Sequence, residues 1–135
     1  MVISGSCFCG AVTYSVSSPL KNARCCHCSR CRKLFGGAGS AYAEVEREAF
    51  EWTAGREALQ QFQTSANTGL AFCGVCSSAL AGLVDNRVHG ITLGTVDGDP
   101  GIEIAMHIFV GSKAAWDHIG GTAIQFLDGP DDKRV

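Results

Sequence analysis

Leu70-Ala71-Phe72-Cys73-Gly74-Val75-Cys76 reads as a short apolar strand that runs directly into a C-x-x-C turn. Cysteines at this spacing can place both sulfurs on one ion, and Gly74 eases the tight turn between them. Two further clusters lie upstream, Cys7-Phe8-Cys9 and Cys26-His27-Cys28-Ser29-Arg30-Cys31. A structural zinc takes four ligands, whereas a catalytic one often takes three and keeps an open position. The two paired clusters supply four thiolates and the six-residue cluster three. That count predicts one ion that holds the fold and one that does chemistry. In an extended C-x-C segment the two cysteines share a face, so Phe8 and His27 are expected to point away from the metals of their neighbours. Joining Cys7 and Cys9 to Cys73 and Cys76 would staple the N-terminal strand to the middle of the chain. A structural zinc contributes on the order of 10 kcal/mol or more to folding. Spacing alone leaves open which cluster pairs with which.

The plainer reading of these cysteines is buried free thiols, since cysteine packs as a small hydrophobe; their clustering argues against it. The middle cluster differs in kind. Ser29 is the expected N-cap of a helix over residues 30–35, which puts Cys31 in its first turn, where the helix dipole favours thiolate. Three thiolates from one short segment would leave a fourth position to water or to a substrate thiol, which would ionise there. The alternative is a second closed zinc, completed by Cys25 or a histidine. Adjacent cysteines on extended backbone face opposite sides, so Cys25 is expected to face the core beside His27.

Bulk properties narrow the function. At 135 residues with 46% hydrophobic residues the chain can bury a core of its own. It reads as one domain over residues 1–128 with a charged, frayed tail over 129–135. A net charge of −2 gives no electrostatic case for nucleic acid or an anionic membrane. No apolar run approaches the ~20 residues of a membrane span. The opening residues show no charged stretch followed by an apolar one, so no secretory leader is expected. Eight cysteines without such a leader point to thiols kept reduced for metal, and hence to the cytoplasm.

Val12, Tyr14 and Val16 alternate with smaller polar residues, the period of a half-buried strand. Further strands are expected over 39–45, 59–64, 70–73, 78–84, 89–96 and 103–110, with Asp97-Gly98-Asp99-Pro100-Gly101 as a strong turn. Only residues 30–35 and 113–118 read as helical, each stopped by paired glycines. Many short strands divided by turns predict a mainly β architecture, a sandwich or open barrel.

Cys7-x-Cys9-Gly10-x-Val12, Cys26-His27-Cys28-x-x-Cys31-Arg32, Phe72-Cys73-x-x-Cys76 and His107-Ile108-x-Val110-x-x-Lys113-x-x-Trp116 together resemble the glutathione-dependent formaldehyde-activating enzyme family, which also includes centromere protein V. The resemblance runs from about Ser4 to Phe126. It implies a β-tent fold of mostly antiparallel strands that carries two zinc ions, which accommodates the two short helices. It places a structural zinc on Cys7, Cys9, Cys73 and Cys76 and a catalytic zinc on Cys26, Cys28 and Cys31. It also implies a carbon–sulfur lyase activity that reversibly joins glutathione to formaldehyde. Ser77 stands where the family usually has glycine, and the chain is shorter than the founding enzymes.

Such a reaction needs a proton donor, and His27, His89, His107 and His118 are the histidines available. Arg24, Arg30, Arg32 and Lys33 surround the middle cluster and could receive the carboxylates of a glutathione-sized thiol. Trp116 is expected to plug the core. Two non-enzymatic readings also fit the cysteines: a zinc-ribbon-like protein-binding module with two closed sites, and a thiol-based metal or redox sensor in which Cys25 resolves an oxidised middle cluster.

Overall fold

The structure, a computed structural model, describes residues 2–135. Twelve strands occur among them. The first six in chain order are β1 (Ile3–Ser6), β2 (Thr13–Val16), β3 (Lys21–Cys26), β4 (Ser40–Glu44), β5 (Phe50–Ala54) and β6 (Leu59–Gln63). There follow β7 (Thr68–Cys73), β8 (Ala79–Val84), β9 (Arg87–Thr92), β10 (Val96–Asp97), β11 (Met106–Ile108) and β12 (Ile124–Gln125). One α-helix, α1 (Ser29–Phe35), and four short 3-10 turns complete the described elements. The fold is mainly β, as the turn-punctuated sequence predicts. The chain gathers into two compact units, the first comprising the residues up to Lys21 with Ala43–Ile102, the second Asn22–Tyr42 with Glu103–Val135.

In the first unit β10, β1, β2 and β5 lie side by side, all antiparallel. The predicted alternation is visible in β2: Tyr14 and Val16 are buried while Thr13 and Ser15 are half-buried. Tyr14 faces Gly5 across the β1–β2 ladder, and a Cβ at Gly5 would collide with its ring. Its hydroxyl meets Thr95 Oγ1 at 2.9 Å, and its ring stacks on Phe50 at 5.5 Å. The same unit holds an antiparallel meander of β6, β7, β8 and β9. Asp85 and Asn86, with φ of 50° and 62°, make the two-residue loop between β8 and β9. Positive φ at both positions is what a hairpin of this length demands, and Asp and Asn tolerate it better than most residues.

The second unit owes its shape to a pairing that sequence period does not announce. β11 runs parallel to β3, with Met106 opposite Arg24, His107 opposite Cys25 and Ile108 opposite Cys26. β12 then adds in parallel to the other side of β11. These parallel pairings are the exceptions in a mostly antiparallel fold. Cys26, Ile108 and Phe126 form a small core, against which Cys28, Cys31, Tyr42, Met106 and Phe109 pack.

Residues 113–118, expected to be helical, form no α-helix. A 3-10 turn over Val110–Ser112 precedes them, and a single Asp117 N–H to Ala114 O bond closes a turn. Six residues are too few to nucleate a helix without packing to support it. Trp116 is 69% exposed rather than a core plug, and Ala114 takes the buried position. The charged tail is bonded back onto the chain before it: Leu127 N–H donates to Lys133 O and Val135 N–H to Gln125 O.

Candidate metal centres

Extended backbone and a tight turn bring the outer cysteines together in the first unit. Cys7 follows β1, and Cys73 ends β7. The four sulfurs of Cys7, Cys9, Cys73 and Cys76 lie within 4.8 Å of one another. Cys7 and Cys9 are 3.6 Å apart and Cys9 and Cys73 3.8 Å. Sulfurs at 2.3 Å from a tetrahedral zinc would stand about 3.8 Å from each other. The donor set fits that ion without rearrangement. Backbone amides already point at the sulfurs, Val12 N–H to Cys7 Sγ at 3.3 Å and Val75 N–H to Cys73 Sγ at 3.4 Å. A hydrogen bond from the Ser78 hydroxyl leads the effects that hold Cys76 down at about 5. Phe8 and Val75, the residues inside the two clusters, are 94% and 71% exposed.

Two details explain the turn. A Cβ at Gly74 would come within 2.9 Å of Ala58 O, whose carbonyl accepts the Gly74 N–H. Close backbone approach, and not a positive φ, is therefore what glycine supplies there. Ser77, by contrast, sits at φ 70° and donates its N–H to Cys73 O. That left-handed conformation is glycine's own, and serine occupies it at a cost.

The middle cluster is built locally in the second unit. Cys26 ends β3, 5% exposed. Cys28, and not Ser29, is the N-cap of α1: its backbone is extended and its sulfur accepts the Cys31 N–H at 3.3 Å. Gly36 closes the helix in the left-handed region, donating to Arg32 O. Cys26, Cys28 and Cys31 form a group of three sulfurs within 4.8 Å of one another. The Cys31 side chain, helped by the Cys28 amide and by Arg24, brings Cys26 down to about 6. The same contact pushes Cys31 well up, so the pair favours one thiolate beside one thiol.

Cys25, the remaining thiol of this unit, turns the other way. It groups with His27 and His107, on the opposite side of β3 from Cys26. Among the described residues the middle cluster therefore stops at three. Of the other histidines, His89 lies 3.8 Å from Glu44 in the first unit, and His118 is exposed. Among the basic residues, Arg24 donates from Nε to Tyr42 Oη at 2.8 Å and lies over the Tyr42 ring, while Arg32 bonds Ser112 O. Arg30 and Lys33 are on the exposed surface of α1.

Tyr42 is the residue that sequence reading missed. Its hydroxyl is anchored by Arg24, and its ring packs against the core that holds Cys26. Burial first, and then the charges of Cys26 and Cys31, push its pKa up although Arg24 pulls it down. A half-buried tyrosine in a strand ordinarily reads as packing; only its placement beside the sulfurs marks it.

A family profile described as glutathione-dependent formaldehyde-activating enzyme matches residues 2–112. The chain also resembles the crystal structure of a Rhodobacter sphaeroides protein, with 26% identity and a TM-score of 0.55. That similarity covers 71% of this chain and 89% of the other.

Proposed function

The chain belongs to the glutathione-dependent formaldehyde-activating enzyme family, and on that premise we propose that it is a zinc-dependent carbon–sulfur lyase. In this reading it joins a thiol such as glutathione to a small aldehyde such as formaldehyde, and cleaves the adduct in reverse. The observation that carries the proposal is that the middle cluster stops at three sulfurs, since Cys25 faces away from it. Three ligands with an open fourth position are the mark of a catalytic rather than a structural zinc.

Cys7, Cys9, Cys73 and Cys76 would hold a zinc that ties the first unit, and Cys26, Cys28 and Cys31 a second. Zinc on the three-sulfur cluster would supply Lewis-acid chemistry, lowering the pKa of a thiol brought to it. The reaction balances without a redox partner: a carbon–sulfur bond forms between thiol and aldehyde carbon, and the thiol proton ends on the aldehyde oxygen. Tyr42 is the group suited to that proton. Its hydroxyl is protonated at neutral pH and packs beside Cys26, so it can donate to the developing alkoxide, while Arg24 fixes its direction. Arg30 and Lys33 would receive carboxylates of a glutathione-sized thiol. Thiols that must stay reduced to serve in this way suit the cytoplasm; among the described residues no helix is long and apolar enough to cross a membrane.

Native mass spectrometry of the zinc-loaded chain, with and without glutathione, tests the reading alongside turnover of S-hydroxymethylglutathione. The expected result is a bound thiol and lyase turnover that both vanish in Cys28→Ser. Tightly held zinc with no affinity for any thiol would sink the lyase and favour a protein-binding module.

A further inference from the structure

Cys25-Cys26-His27-Cys28 lies on extended backbone, so its side chains alternate between two faces. One face carries the three-sulfur cluster. The other carries Cys25 and His27, and the parallel register of β11 sets His107 directly opposite Cys25. His27 N–H continues that ladder by donating to Ile108 O at 3.0 Å. The result is a compact group: one donor atom each from Cys25, His27 and His107 lies within 4.8 Å of the others.

The two imidazoles meet edge to edge, His27 Nε2 to His107 Nδ1 at 2.9 Å, with ring centroids 5.1 Å apart. His27 is 3% exposed. Its second nitrogen, Nδ1, is buried without a hydrogen-bond partner and faces Asp117 Oδ2 at 3.8 Å. A metal-bound imidazole commonly turns its other nitrogen to a carboxylate, which fixes the tautomer and ring orientation. With its proton on Nδ1, and the Ala38 backbone and Asp117 carboxylate acting on the ring, His27 leaves Nε2 toward His107 as a ligand atom. One thiolate and two imidazoles suit zinc and its congeners, which accept mixed sulfur and nitrogen ligands.

We propose that Cys25, His27 and His107 form a further binding site for a zinc-class divalent ion, with Asp117 as the positioning residue behind His27. The site is independent of the lyase reading, because it shares no ligand with the three-sulfur cluster. Loading it releases the proton of Cys25, while the proton between the two imidazoles moves to a ring nitrogen that does not bind the ion. The ion then joins β3 to β11 across 80 residues of sequence.

The test counts zinc ions retained by the full chain after gel filtration, by native mass spectrometry, and records the cobalt-substituted absorption spectrum. Wild type is expected to retain one zinc ion more than His107→Gln or Cys25→Ser. The cobalt difference spectrum between wild type and His107→Gln should show the charge-transfer band of a single thiolate. Asp117→Asn, which leaves all three ligands in place, should weaken retention of that ion by roughly 10- to 100-fold. Cys31→Ser removes an ion from the other face, so failure of the three-sulfur site and failure of this one register separately. Equal zinc content in wild type, His107→Gln and Cys25→Ser, with all three folded by circular dichroism, would overturn the proposal and leave a hydrogen-bonded histidine pair.

Discussion

The four-sulfur cluster of the first unit and the three-sulfur cluster of the second use the same residue type and nearly the same spacing, yet they are built in opposite ways. Cys9 and Cys73 are separated by 64 residues, so the first cluster exists only when β1 and β7 are in place. Its closure is a tertiary event, and any ion it holds is linked to folding of the unit. Cys26, Cys28 and Cys31 come from six consecutive residues, shaped by a strand end and a helix N-cap. No distant thiol is recruited there, and the set stays short of four. Ligands drawn from far apart in sequence would make a staple of any ion they hold, whereas three from one short segment would leave it a position open.

The sharpest way to break this contrast is to remove one ligand from each. Cys76→Ser should cost several kcal/mol of the ~10 or more that a structural zinc contributes, whereas Cys31→Ser should cost far less. Melting curves of the two zinc-loaded variants decide it, and equal losses would abolish the distinction. Next in size is chemistry confined to the second unit. Tyr42→Phe is expected to lower lyase kcat by roughly a hundredfold while glutathione binding and melting temperature hold; unchanged kcat would remove Tyr42 from the mechanism.

A matched pair of glycines probes the backbone of each cluster. A Cβ at Gly74 would press on Ala58 O at 2.9 Å, and one at Gly39 on Cys26 O at 2.5 Å. Each alanine substitution should cost about 1–3 kcal/mol. Gly74→Ala should lower the melting temperature with thiol affinity intact, and Gly39→Ala should weaken thiol binding; isothermal titration with glutathione separates them. The smallest expected effect is a gain. Ser77→Gly relieves a left-handed serine in the four-sulfur turn and should stabilise the chain by ~1 kcal/mol in denaturant titration. No gain would mean that serine's hydroxyl or its reduced chain entropy offsets the strain.

Much of the β architecture was legible because alternation is a local property. Val12-Thr13-Tyr14-Ser15-Val16 shows its buried face without any partner, and the strands Thr68–Cys73 and Ala79–Val84 follow from apolar runs between turns. β3 was not legible. Lys21-Asn22-Ala23-Arg24-Cys25-Cys26 has no hydrophobic period, and it becomes a strand by pairing with β11. The helix N-cap shifted from Ser29 to Cys28 because a sulfur can accept the amide that a serine hydroxyl usually takes. At residues 113–118 helix propensity yielded to a turn that buries Ala114 and brings Asp117 to His27.

Which residues could bind metal, and that the cysteine clusters divide into a four and a three, can be read along the chain, because ligand type and spacing are local. What lies behind the three depends on folding: His107, Asp117 and Tyr42 reach β3 through strand pairings and turns that close loops of many residues. Such pairings depend on register between distant segments, and register leaves no mark on either segment alone.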